Sequence, residues 1–230
     1  MINNNYDKGI KNKEKDKKEL EMEKQYFKKI FYALVGVLLI GTGVAFNNLA
    51  GLGNDSVGIV YDGIRNFFHL SVEQLGTVSN IVNISLVVLL LFIGRKFVSI
   101  GTVVYFVPYG LCVSFGSTIY HYLVPNNHIL YRIVFAAIGC LLLYLGIAIF
   151  IVVNIGVDPF TGVVLVLQQK LKKEYRIVKI SFDISFIVFG LLLGGKAGIV
   201  TVITAFTAGP FIQFFADKLR RISNKNQIAA

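Results

Sequence analysis

One pattern of apolar runs, glycines and polar breaks occurs twice in this chain, over residues 43–115 and again over 146–214. The first copy carries Gly43-x-Ala45, Gly53-Asn54-Asp55, Asn83-Ile84-Ser85, Gly94-x-Lys96, Gly101-Thr102-Val103 and Gly110. The second carries Gly146-x-Ala148, Gly156-Val157-Asp158, Asp183-Ile184-Ser185, Gly194-x-Lys196, Val200-Thr201-Val202 and Gly209. The order is identical. The offset drifts from about 103 residues at Gly43 to about 99 at Gly110, so short loop insertions separate the copies. Duplicated hydrophobic units of this kind are typical of membrane transport folds.

Composition leads the same way. Hydrophobic residues make up 55% of the chain, charged residues 16%, and mean hydropathy is +0.66. A soluble domain carries nearer a quarter charged residues, so this much apolar surface calls for lipid. The formal net charge of +10 is segregated along the chain and reads as membrane topology, not as a nucleic-acid footprint. Cys112 and Cys140 both sit in apolar runs without metal-site or disulfide spacing. P-loop, HExxH, GxSxG and paired-carboxylate signatures are absent, so neither enzyme chemistry nor a cofactor is expected.

Six segments are long enough to span a bilayer: about 28–50, 74–94, 99–123, 130–153, 177–194 and 198–217. Two amphipathic segments, 57–69 and 160–172, are too short to cross and follow the aspartate of each copy. In the first, Asp62 and Arg65 are assigned to the polar face. Residues 1–26 alternate Lys with Asp and Glu and are expected to form a disordered, solvated cytoplasmic tail. The domain plan is this tail, a membrane repeat at 27–124, a second at 125–220, and a basic tail at 221–230. With the N-terminus inside, the cytoplasmic face receives Lys28, Lys29, Arg95, Lys96, Lys170, Lys172, Lys173, Arg176, Lys179, Lys218, Arg220, Arg221 and Lys225. The outer face, including 125–128 and 195–197, receives only Arg65, Arg132 and Lys196. Both termini are therefore expected inside, in a bacterial inner membrane. Each copy contributes three spans, an odd number, so the copies are expected to be inverted. The fold expectation is an all-α, polytopic protein with six transmembrane helices as a 3+3 inverted repeat and two half-helices.

The punctuation supplies the candidate site. Asp55 and Asp158 each open a short helix, either as N-caps or as carboxylates at unwound hinges facing a site between the repeats. Thr102 and Thr201 end tight hairpins, as caps or as parts of a gate. Asn80 and Asn83 share a helix face with Ser79, as interhelical hydrogen-bonding groups or as site residues. Asp183 is equivalent to Asn83 and lies roughly 10 Å along its helix from the cytoplasmic end. There it either pairs with Lys179 at i−4 or faces the repeat interface opposite Asn83. Tyr120, His121, Tyr131 and Arg132 suit an outer aromatic belt.

The Gly-x-Asp breaks, the Gly-x-Lys and Gly-Thr hairpins, and their recurrence resemble the bacterial YczE/YyaS/YitT-type membrane proteins over about 27–220. The YczE branch is the nearer expectation, because longer YitT-like chains carry a soluble C-terminal domain. The resemblance implies a proline at each break. Asp158-Pro159 conforms, Asn54-Asp55-Ser56 does not, and Val200 stands where a glycine is expected. It implies architecture and little chemistry.

A small secondary transporter with its site between the repeats is the favoured expectation. Alternatives are the substrate-capture subunit of an energy-coupling-factor importer, and a non-transporting accessory or regulatory membrane protein. The expected partners are the lipid bilayer and a small-molecule or ion substrate. No nucleic-acid partner is expected, and the sequence leaves a homo-oligomer open.

Overall fold

The described residues of the chain form eight α-helices: α1 (Ile2–Ala50), α2 (Ser56–Phe67), α3 (Leu75–Ile93), α4 (Ile100–Leu123), α5 (Ile129–Val153), α6 (Pro159–Leu171), α7 (Tyr175–Leu192) and α8 (Ile199–Ile228). The structure, a computed structural model, describes the backbone of residues 2–124 and 128–228. It describes the side chains of 19, 20, 22–124, 128–174 and 177–222. Most of the expected outer loop 125–128 lies outside these residues. No strand occurs among the described residues.

Among the described residues, five helices are long and apolar enough to cross a membrane, within Met22–Ala50, Val72–Ile93, Ile100–Leu123, Ile129–Val153 and Ile199–Ile222. The expected span 177–194 corresponds to α7 and is not among them. That helix has only 18 residues and carries Lys179 and Asp183. The N-terminal segment also departs from expectation, since α1 begins at Ile2 and absorbs residues 2–26 into one helix. Its dense mixture of Lys with Glu and Asp permits opposite charges at i, i+4, which favour helix even without an apolar face. The described span of α8 likewise runs through 221–228.

The order long, short, long, long holds for α1–α4 and again for α5–α8. Contacts follow the same plan. α1 packs on α5, α1 on α4, and α5 on α8, while α2 packs on α7 and α6 on α3. Small residues set the central crossing. A Cβ on Gly43 would lie 2.6 Å from the Gly139 carbonyl oxygen, and one on Gly146 would lie 2.6 Å from that of Gly36. The glycines recur seven residues apart on each helix, about two turns, so the α1 and α5 backbones touch along one stripe. The plan is not uniform. Gly110 on α4 meets Gly76 on α3, whereas Gly209 on α8 has no heavy atom within 4 Å of its Cβ position.

The core is Val37, Val44, Leu75, Leu90, Val113, Val164 and their neighbours. Large apolar side chains on α3, α4, α5, α7 and α8 face outward, as lipid-facing helices require. Tyr120 is a core residue, not part of an outer belt, and packs edge-on against Phe46 and Phe135. Arg132 caps the C-terminus of α1, donating to the carbonyls of Ala50 (2.6 Å) and Gly51 (3.0 Å). A cation at a helix C-terminus is favoured by the exposed carbonyls and the dipole.

Candidate functional site

The breaks and hairpins that punctuate the two copies meet each other across the molecule. The hairpin before α4 packs on the break before α6, and the hairpin before α8 packs on the break before α2. The bonds fall on equivalent positions. Gly101 N–H donates to Ile155 C=O (3.2 Å), and Val200 N–H donates to Leu52 C=O (3.0 Å). The Thr102 hydroxyl donates to Val157 C=O (2.8 Å), while the Thr201 hydroxyl accepts from Asn54 N–H (3.2 Å). Each threonine also holds its own turn, accepting from Ser99 N–H and Gly198 N–H respectively, both at 3.2 Å.

Glycine is required where backbone meets backbone. Gly53 has φ +110° and Gly156 φ +148°. A Cβ on Gly53 would lie 2.5 Å from Gly198 N, and one on Gly156 would strike the Ser99 hydroxyl. A side chain at either position faces both a left-handed backbone and a collision.

The two aspartates differ. Asp158 is an N-cap whose carboxylate accepts from Thr161 N–H (3.0 Å), with Pro159 in the first helical turn. This is ordinary helix-start chemistry. Asp55 occupies the same position on α2, but its side chain makes no cap hydrogen bond, and its Oδ1 is buried without a partner. Burial first, then the Asp183 carboxylate, raises its pKa above the ordinary value of 3.8, against the nearby amides of Gly58 and Val57.

Of the two roles considered for Asp183, the structure shows the ion pair with Lys179. It pairs with Lys179 (2.6 Å) and accepts from the Ser56 hydroxyl (2.8 Å), the residue after Asp55. The contact joins α7 to the start of α2. Asn83 is fully buried and lies elsewhere on α2's surroundings. Its amide nitrogen donates to the Tyr61 hydroxyl (3.0 Å) and to Ser79 C=O (2.8 Å), leaving Oδ1 buried and unpartnered. Asn80 turns away to α4. Its Oδ1 accepts from Gly110 N–H (2.8 Å), two residues beyond Pro108, and so stitches α3 to the proline-bearing helix. Ser85 and Ser181 stay within their own helix, joined in the second case as Ser185 donating to Ser181 C=O.

The structure therefore joins Asn54 to Thr201 and Ser56 to Asp183 on either side of Asp55, and joins Val157, the residue before Asp158, to Thr102. It does not bring Asn80 into that group. Sequence reasoning missed three buried tyrosines at the centre, Tyr61 on α2 and Tyr105 and Tyr109 on α4. The rings of Tyr105 and Tyr109 stack at 5.1 Å, and Tyr61 lies 6.1 Å from Tyr109. The i, i+4 spacing of Tyr105 and Tyr109 in an apolar helix was the available signal. Asp62 is a correction, since it is buried and not on a polar outer face. It accepts from Arg65 (2.7 Å) and from Lys196 N–H (2.9 Å), while Asn66 donates to Gly194 C=O (2.7 Å). These groups tie α2 to the turn after α7. Among the described residues, no set of three His, Cys, Asp or Glu side chains could hold a metal.

Comparison with known proteins gives relatives without an assigned activity. The chain is 28% identical over 200 residues to an "Uncharacterized protein" of Haemophilus influenzae, covering 85% of this chain and 87% of that one. It is 21% identical over 198 residues to "Uncharacterized protein YyaS" of Bacillus subtilis, covering 84% and 94%. No solved structure matches. Residues 27–217 match the model of a family of unknown function (DUF6198), in keeping with the YyaS-type resemblance. This all-helical, multi-pass chain belongs to that family.

Proposed function

We propose that this protein is a small secondary transporter of a bacterial cytoplasmic membrane, with a substrate site between two inverted three-span halves. In this reading α7 is the fifth of six spans, α2 and α6 are half-helices, and both termini are cytoplasmic. The observation that carries it is the reciprocal fit of each break into the other half's hairpin at equivalent residues. Broken helices meeting at a pseudo-symmetric interface are the usual setting of transporter sites, because unwound backbone and helix ends present polar groups to a substrate. Buried Asn83 and the tyrosines, with the buried Oδ1 of half-buried Asp55, supply polar groups there. The charge on α7 fits a span whose polar face is turned to protein: Lys179 and Asp183 neutralise each other, and the Ser56 hydroxyl donates to Asp183.

A second reading, an accessory or regulatory membrane protein, draws on the tight closure of the centre, where Tyr61, Tyr109 and Asn83 are at most 1% exposed. A secondary transporter must open that centre to one side or the other. The test is a thermal-shift screen of purified protein against metabolite and ion libraries, followed by counterflow of the stabilising ligand in proteoliposomes. Ligand-specific stabilisation with counterflow supports transport. Stabilisation with no flux through reconstituted protein supports the accessory reading, and a co-purifying ATPase pair supports the importer-subunit reading.

A further inference from the structure

The turn after α3 and the turn after α7 are equivalent in the repeat, yet only one of them is supplied with an anion by the chain itself. The turn after α7 is closed by α2. Asp62 accepts from Lys196 N–H (2.9 Å) and pairs with Arg65 (2.7 Å), and Asn66 donates to Gly194 C=O (2.7 Å). The turn after α3 is Gly94-Arg95-Lys96-Phe97, and α6 lies beside it, with Gly94 against the Val166 side chain. Aligned on Asp55 and Asp158, α6 has Leu165, Gln168 and Gln169 where α2 has Asp62, Arg65 and Asn66. The carboxylate is lost. Among the described residues no ion pair engages Lys96 or Lys170, and no side-chain hydrogen bond joins α6 to this turn. Instead a cleft of about 250 Å³ opens between them. Ile93, Phe97 and Val166, wholly or partly buried, form its floor, and exposed Lys96, Gln169 and Lys170 form its rim.

We propose that this cleft binds the headgroup of an anionic phospholipid, its phosphate held between Lys96 and Lys170. The site needs no transport activity, and the topology read above decides only its leaflet. Charge complementarity selects an anion. The turn and the end of α6 carry Arg95, Lys96, Lys170, Lys172 and Lys173, and the chain has no Asp or Glu over 75–157 or 159–173. Glu174 follows at the start of α7 and pairs with neither rim lysine. The C-termini of α3 and α6 bring only about half a negative charge each against these cations. The Lys96 ammonium lies 5.2 Å from the Phe97 ring centroid, so its stem runs over the apolar floor and its charge stays at the rim. Position selects a lipid over a free anion. The turn joins α3 to α4, two helices long and apolar enough to span, and so sits at a membrane surface. Cations at that level meet lipid phosphates, and an apolar floor meets the carbons beneath them. Phe92 and Leu171, next in sequence to lining residues, are 85% and 58% exposed and extend that apolar surface. The turn after α7 calls for no such ligand, because Asp62 already neutralises Arg65.

The test uses the purified full-length protein in mixed micelles, melted against rising mole fractions of phosphatidylglycerol in phosphatidylcholine. Phosphatidylglycerol should raise the melting temperature saturably. Lys96→Gln/Lys170→Gln should raise the half-saturating fraction by about tenfold or more, as the loss of two lysines at a lipid surface requires. Gln169→Glu sets a carboxylate on the rim at an exposed position and should weaken the response in the same direction. Lys28→Gln/Lys29→Gln removes the same charge from exposed positions on α1, outside the cleft, and should respond as wild type. Equal melting in the two lipids, or an unchanged response in both the Lys96/Lys170 and Gln169 variants, would overturn the proposal. So would a loss of the same size in the two double-lysine variants, which would mean diffuse attraction to a charged surface. Full stabilisation by sodium phosphate in phosphatidylcholine micelles at matched ionic strength would also overturn it, because the occupant would then be a free anion. A lipid response without substrate flux would keep this site and remove the transport reading. Flux without a lipid response would do the reverse.

Discussion

Thr201→Val removes one hydroxyl and little volume, and it strikes the point where the second half grips the first. The Thr201 oxygen accepts from two amides, Asn54 N–H in the first break and Gly198 N–H in its own turn, each at 3.2 Å. Thr201 is 8% exposed and the Asn54 bond is buried, so water cannot replace the lost acceptor. A buried donor left without a partner costs about 1–3 kcal/mol, so the pair should cost about 2–4 kcal/mol. The added methyl contact offsets only part of this. For a chain of this size each kcal/mol moves the melting temperature by about 2–4 °C, which places the drop at about 4–16 °C. Differential scanning fluorimetry in detergent measures it. Thr201→Ser keeps the oxygen and should melt within about 2 °C of wild type. If Val and Ser variants melt alike, the hydroxyl does not hold the break, and the reciprocal latch is not what fixes the two halves.

Three further outcomes follow from the geometry. Asp62→Ala strands Arg65, 11% exposed at its side chain, and leaves Lys196 N–H unbonded, so it should cost about 3–5 kcal/mol; restoring stability in part with Asp62→Leu/Arg65→Met would confirm a buried pair in a double-mutant cycle. Gly43→Val should abolish folded yield on size-exclusion chromatography, because even a Cβ would lie 2.6 Å from Gly139 C=O and backbone cannot give way cheaply. Stability in choline chloride should fall as pH rises through the raised pKa of Asp55, and Asp55→Asn should flatten the profile. The sign follows from linkage: between 3.8 and the raised value the folded state binds the extra proton, so stability is present below that window and lost above it.

The helical plan was readable because its signals are local. Apolar runs, Gly-x-Asp breaks and Gly-Thr turns each fix a boundary through their own chemistry, and Asp158-Pro159 starts α6 as its sequence requires. What was not readable depended on direction around a helix. Asn80 and Asn83 are three residues apart, yet one reaches Gly110 on α4 and the other Tyr61 on α2. Asp62 looked solvent-facing because charge and amphipathicity usually go together. Its burial becomes sensible only with Arg65 and the α7–α8 turn in place. The asymmetry of Asp55 and Asp158 was half visible, in the missing proline. Its consequence, an Asp55 Oδ1 buried without a cap bond, required the packing of α2.

The inverted arrangement of the two halves is tested most directly by the sidedness of Lys96 and Lys196, equivalent residues in the α3–α4 and α7–α8 turns. Each is replaced by cysteine in a background without Cys112 and Cys140, and intact cells are treated with a membrane-impermeant maleimide. The account predicts labelling at position 196 and protection at position 96 until the membrane is permeabilised. Both positions reacting from the same side would contradict it, because α4, α5 and α7 would then not make three crossings between the two turns.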